Sequence, residues 1–116
     1  MNVAIIGPSD FTDADLIDKA LRRRLKPGDF LHVKGRMKGA ARMAHDWATS
    51  GPKENWRQVY VYYLDDDRRE KDRAKAEEKR ESEMLKVAEL LVVFGAEGRM
   101  AAKAREKGIK VRSYGK

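Results

Sequence analysis

The stretch Val33-Lys34-Gly35-Arg36-Met37-Lys38-Gly39-Ala40-Ala41-Arg42 concentrates the residue types that bind phosphate. A short apolar strand, Phe30-Leu31-His32-Val33, leads into it, and an amphipathic helix, Ala40 to Thr49, leads out. A glycine-bearing loop between a strand and a helix presents backbone N–H groups and the positive end of a helix to an anion. Lys34, Arg36, Lys38 and Arg42 add positive side chains to the same run. Such turns also serve purely structural ends, so by itself the loop is only a candidate phosphate cradle.

Other reactive residues are sparse. His32 in a strand and His45 on a helix have no partner at metal-ligand spacing, and both read as structural. Ser9, Ser50, Ser82 and Ser113 lack a recognisable activating base. Asp10 and Glu83 form an acid–base pair only if the fold brings them together, and Asp10 suits a turn or cap before Phe11-Thr12 equally well. Met43 and Trp47 have helical spacing and read as core. Tyr60 and Tyr62 share one strand face beside Trp56. Exposed, that face would stack nucleobases; core or dimer packing is the better account of it.

The elements that must position these residues alternate strictly. Asn2 to Ile6 reads as a buried strand ended by Gly7-Pro8. Thr12 is placed as the N-cap of a helix from Asp13 to Leu25, with Leu16, Ile17, Ala20, Leu21 and Leu25 on one face. Lys26-Pro27-Gly28-Asp29 is a turn. The second strand, the glycine loop and the second helix follow, and Ser50-Gly51-Pro52 breaks that helix. Gln58 to Leu64 is a third strand rich in Val and Tyr. Asp65-Asp66-Asp67 opens a long charged helix ending near Val87, with a solvated first half and a docked second half. Glu89 to Phe94 is a fourth strand. A basic helix from Arg99 to Lys107 is closed by Gly108, and Ile109 to Arg112 is a fifth strand. This order predicts an α/β fold: one Rossmann-like three-layer domain over residues 1–116, its five-stranded sheet mostly parallel with helices on both faces.

Charge narrows the partners. The 116 residues carry a net charge of +7 and no cysteine, which removes disulfides and thiolate chemistry. Between Asp65 and Glu83 stand nine acids and seven bases; elsewhere 19 bases face 10 acids, an excess of +9. Such an excess favours nucleic acid or phosphorylated small ligands, or simply keeps the chain in solution. No apolar run approaches the ~18 residues of a membrane span, so no membrane partner and a cytoplasmic location are expected. No cofactor is expected either.

Met1-Asn2-Val3-Ala4-Ile5-Ile6-Gly7-Pro8-Ser9-Asp10-Phe11-Thr12-Asp13 resembles the start of the small bacterial and phage proteins of the SLOG superfamily, which run from a strand through Gly-Ser-Arg-Asp-Phe into a helix. Lys34 to Ala41 is similar to the family's Gly-Gly-Ala-Arg-Gly-Ala-Asp element, and Arg80-Glu81-Ser82-Glu83-Met84-Leu85 to its Arg-Asn-Arg-Glu-Met-Leu. The resemblance implies a pocket at the strand C-termini that takes nucleotides or nucleotide-derived ligands. It places Gly7, Ser9 and Asp10 after the first strand, Gly35, Arg36, Gly39 and Ala40 on the phosphate side, and Arg80 on the third helix; Lys38 of the basic loop and Glu83 are further candidate ligand contacts. Gly95 stands after the fourth strand, where nucleotide-cleaving relatives carry Pro-Gly-Gly-x-Gly-Thr. This chain has Phe94-Gly95-Ala96-Glu97-Gly98-Arg99 there, which supplies no convincing catalyst. The expectation is a homodimeric module binding a nucleotide-derived small molecule, or alternatively single-stranded DNA or RNA in the same basic pocket.

Overall fold

The computed structural model describes residues 1–8, 10–26, 28–34, 39–52, 57–62, 70–95 and 98–115, with only the backbone for 70–74. Five strands are present: β1 (Asn2–Ile6), β2 (Phe30–Lys34), β3 (Gln58–Tyr62), β4 (Leu90–Phe94) and β5 (Lys110–Tyr114). Between them lie α1 (Ala14–Arg24), α2 (Gly39–Ala48), α3 (Glu70–Val87) and α4 (Arg99–Glu106). The strands form one sheet in the order β3-β2-β1-β4-β5, and every pairing is parallel, not merely most of them.

Side-chain alternation divides the core in two. Val3, Ile5, Leu31, Val33, Val92 and Phe94 face α1 and α2, where they meet Ile17, Leu21, Ala40, Ala44 and Ala48. Ala4, Leu91 and Val93 face α3 and α4, where they meet Met84, Leu85, Ala88, Met100, Ala101 and Ala104. β4 is buried along its whole length, as a strand covered on both faces must be. α1 and α2 are also tied by Trp47 Nε1, which donates to Asp18 Oδ1 at 2.9 Å, so Trp47 serves the helix packing.

Two local expectations shift. The N-cap of α1 is Asp13 rather than Thr12: its carboxylate accepts from Leu16 N–H at 3.1 Å, satisfying the orphan donor three residues on. The basic α4 ends one residue earlier than expected, at Glu106 with Lys107 as its C-cap, and Gly108 follows at φ +78°, the left-handed geometry that favours glycine after a helix. Leu64, Asp65-Asp66-Asp67 and Trp56 lie outside the described residues.

His32 is structural, as expected. It is buried in β2, with Nε2 2.8 Å from Asn2 Oδ1 and Nδ1 2.8 Å from the Tyr62 hydroxyl. Asn2 Oδ1 only accepts, which puts the ring proton on Nε2 and leaves Nδ1 to accept from Tyr62. Burial holds its pKa below the ordinary 6.5 and favours the neutral ring. The unfolded chain therefore takes up this proton first as pH drops. Stability is expected to be level above neutrality and to fall as pH passes below about 6.5 toward the lower folded value. Melting curves across this range check it: His32→Gln should flatten the slope relative to wild type.

Candidate functional site

The chain winds outward from β1 in two directions, through α1 and α2 to β3, then back through α3 to β4. The C-terminal ends of β1 and β4 therefore diverge, which is where ligands bind in open α/β sheets. Gly7 follows β1 and Gly95 follows β4. A Cβ on Gly7 would stand 2.5 Å from Ala40 Cβ and 3.2 Å from Phe94 Cβ, so glycine is what lets α2 close over the two strand ends. Gly95 has φ +87° and packs against Pro8, where an added Cβ would come within 3.3 Å of Cδ. Pro8 C=O accepts from Phe11 N–H at 3.2 Å and, more weakly, from Ala40 N–H at 3.5 Å. One amide at the start of α2 is thus directed to the protein's own carbonyl. Gly39 opens α2 at φ +55°.

A cleft of about 400 Å³ opens here on the α3 and α4 side, lined by Ile6, Gly7, Pro8, Lys34, Glu81, Val93, Gly98, Arg99 and Met100. Its charged groups converge from three elements. Glu81 on α3 is only 3% exposed. Lys34 Nζ, at the end of β2, donates to its Oε2 at 2.8 Å. Arg99 at the start of α4 donates from Nε to Oε1 at 2.9 Å and from Nη2 to Oε2 at 3.2 Å. Burial works against the Glu81 charge, but the hydrogen bonds from Arg99 and Lys34 outweigh it and hold the carboxyl below its ordinary range. Glu81 raises the Arg99 pKa in return. The cations themselves are partly open, with side chains 29% and 52% exposed for Lys34 and Arg99.

Glu81 thus fixes two cations at the mouth of the cleft without using all their donors. An ammonium has three N–H groups and a guanidinium five. Gly98, the N-cap of α4, brings no side chain to the first turn, so that helix opens directly onto the cleft. The arrangement suits an anion held by charge-assisted hydrogen bonds.

The structure separates the residues singled out from the sequence. Gly7 lines this cleft. Gly39 and Ala40 open α2 beside it, with Ala40 fully buried against Gly7. Asp10 and Gly95 line a second cleft of about 420 Å³ on the α1 side, with Phe11, Thr12 and Asp13. Glu83 is exposed on α3, so Asp10 and Glu83 stand on opposite sides of the sheet and make no acid–base pair. Arg80 is buried, donating from Nη1 to Tyr62 C=O at 3.4 Å and from Nη2 to Glu77 at 3.2 Å. It fastens α3 to the end of β3. Ser9, Gly35, Arg36, Lys38 and Glu97 lie outside the described residues.

Lys34 stood out in the sequence as a cation of the glycine loop, but Glu81 and Arg99 were not singled out as site residues. One signal did exist: Glu81, Met84, Leu85 and Ala88 share a helical stripe, and a carboxylate in an otherwise apolar stripe requires buried partners. Comparison of the chain with protein-family models, with curated proteins and with solved structures finds no match.

Proposed function

We propose that this protein binds a phosphorylated, nucleotide-derived ligand in the cleft at the divergence of β1 and β4. The observation that carries the reading is the pair of cations, Lys34 and Arg99, held by a buried Glu81 over a concave site of about 400 Å³. Lys34 and Arg99 take the phosphate, with the first turn of α4 behind them. Gly7 lets α2 close over the strand ends that floor the cleft. The resemblance of the first 13 residues to SLOG proteins supports the same end of the molecule and the same ligand class. The role is that of a sensor or binding module.

A thermal-shift panel of mononucleotides, ADP-ribose-type compounds and short single-stranded oligonucleotides, each at low and moderate salt, tests this. A ligand at a hundred times its Kd adds about 2.7 kcal/mol to stability, several degrees of melting temperature for a chain of this size. A small nucleotide should stabilise at both salts. Stabilisation by oligonucleotides alone, lost steeply as salt rises, would replace this reading by nucleic-acid binding through the basic surface.

A further inference from the structure

The two edges of the sheet differ in a way that bears on assembly. β5 exposes Lys110 and Arg112, charges that blunt an edge against pairing. β3, at the other edge, reads Gln58-Val59-Tyr60-Val61-Tyr62 and carries no charge, no proline and no glycine. Among the described residues nothing pairs with its outer side. Tyr60 is 41% exposed, although its ring is held in place, stacked at 5.0 Å on His32 and 5.9 Å from Phe30. Phe30 and Tyr60 belong to neither core cluster.

We infer that a second copy of this chain covers this edge, β3 pairing antiparallel with β3 about a two-fold axis at Tyr60 to make a continuous ten-stranded sheet. The strand is suited to pairing with itself. Tyr60 is its middle residue, so the axis sets Tyr60 against Tyr60, Val59 against Val61, and Gln58 against Tyr62. Two valine pairs then lie on one face and an aromatic pair on the other, all favourable cross-strand neighbours. Charge selects the same edge. Each copy carries +7, so two copies repel unless they meet where cations are missing. Joining at β5 would bring Lys110 and Arg112 of both copies together, whereas β3 adds no like-charge contact. This assembly does not depend on the ligand reading, because β3 contributes no residue to the lining of the cleft.

Sedimentation of the full chain at tens of micromolar should give twice its 13.3 kDa mass. The chain has no cysteine, which makes one introduced thiol a clean reporter. Directly opposed residues of an antiparallel pair have Cα atoms roughly 4.5–5.5 Å apart, within disulfide reach. Tyr60→Cys is expected to cross-link almost completely into a covalent dimer on mild oxidation, and Arg112→Cys, at the opposite edge of the sheet, to form no covalent dimer while still sedimenting as a non-covalent one. Tyr60→Lys should give a monomer with an unchanged circular dichroism spectrum. A wild-type monomer, equal cross-linking at positions 60 and 112, or a Tyr60→Lys protein that remains a dimer would each overturn the inference. So would a monomer whose oligonucleotide binding is lost in Tyr60→Ala, which would assign the aromatic face to base stacking.

Discussion

Removing both cations from Glu81, as Lys34→Met with Arg99→Met, is expected to abolish binding of the phosphorylated ligand and to destabilise the fold by about 3 kcal/mol. The two losses have different causes. Binding fails because the charge-assisted donors are gone; hydrogen bonds to charged groups contribute roughly 1.5–3 kcal/mol each, so either single variant should weaken the ligand about tenfold or more. Stability falls because Glu81 remains, 3% exposed, with no partner for its charge. The figure sits at the low end for an uncompensated buried charge because Lys34 and Arg99 are themselves partly in water.

The pH dependence gives the sign of that effect. In the wild type Glu81 has a depressed pKa, so its contribution is present above the ordinary value of 4.5 and is lost as pH falls through the folded one. In the double variant the stranded carboxyl is raised above its unfolded value, so its penalty is relieved as pH falls. The gap between the two proteins should therefore narrow in acid. Adding Glu81→Gln to the double variant should restore most of the stability and none of the binding. Urea unfolding at several pH values, with ligand thermal shifts on the same samples, reads both. If the double variant binds as tightly as wild type, the cleft is not the anion site.

Gly7→Val is expected to be the most damaging single change at the strand ends, at about 3 kcal/mol, the upper range for overpacking. A Cβ at this position meets Ala40 Cβ at 2.5 Å and Phe94 Cβ at 3.2 Å. Neither neighbour has a rotamer through which that atom can retreat, because a Cβ moves only with its backbone. α2 must therefore lift off β1, and the further methyls of valine enlarge the movement. The melting temperature should drop by more than roughly 10 °C, taking about 4–8 °C per kcal/mol for a small domain. Gly7→Ala carries the same first clash in milder form. Pairing it with Ala40→Gly removes one of the two opposed atoms, so the pair should be less destabilising than the sum of its members, a coupling that a double-mutant cycle measures. Additive losses would mean that the Gly7–Ala40 approach is not what limits this position.

Much of the fold is legible because periodicity is local. Five strand segments and four helices fall where alternation, apolar runs and breakers place them: Asn2–Ile6 matches to the residue, and Gly51-Pro52 and Gly108 stand just beyond helices. The errors are equally local in cause. Thr12 and Asp13 both carry a side-chain acceptor able to cap, and only the path of the chain into α1 decides that Asp13 reaches Leu16 N–H. The site is less legible. Arg80 draws attention because it matches a motif, yet adjacent helical residues point about 100° apart. That turn sends Arg80 to the Tyr62 carbonyl and its neighbour Glu81 into the cleft.

By itself, then, the sequence determined the α/β class, the order of the elements, the residues that bury and the surplus of positive charge. Each of these depends on a repeat, a cap or a count within a few residues of chain. Tertiary structure decided that β1 lies between β2 and β4, that all pairings are parallel, and that β3 and β5 are left at the edges. It also decided which charges meet. Lys34 lies 47 positions from Glu81, and Glu81 lies 18 from Arg99. No spacing rule spans such separations. They close only because the crossovers carry β2, α3 and α4 to one end of the sheet, where a buried carboxylate must find its cations.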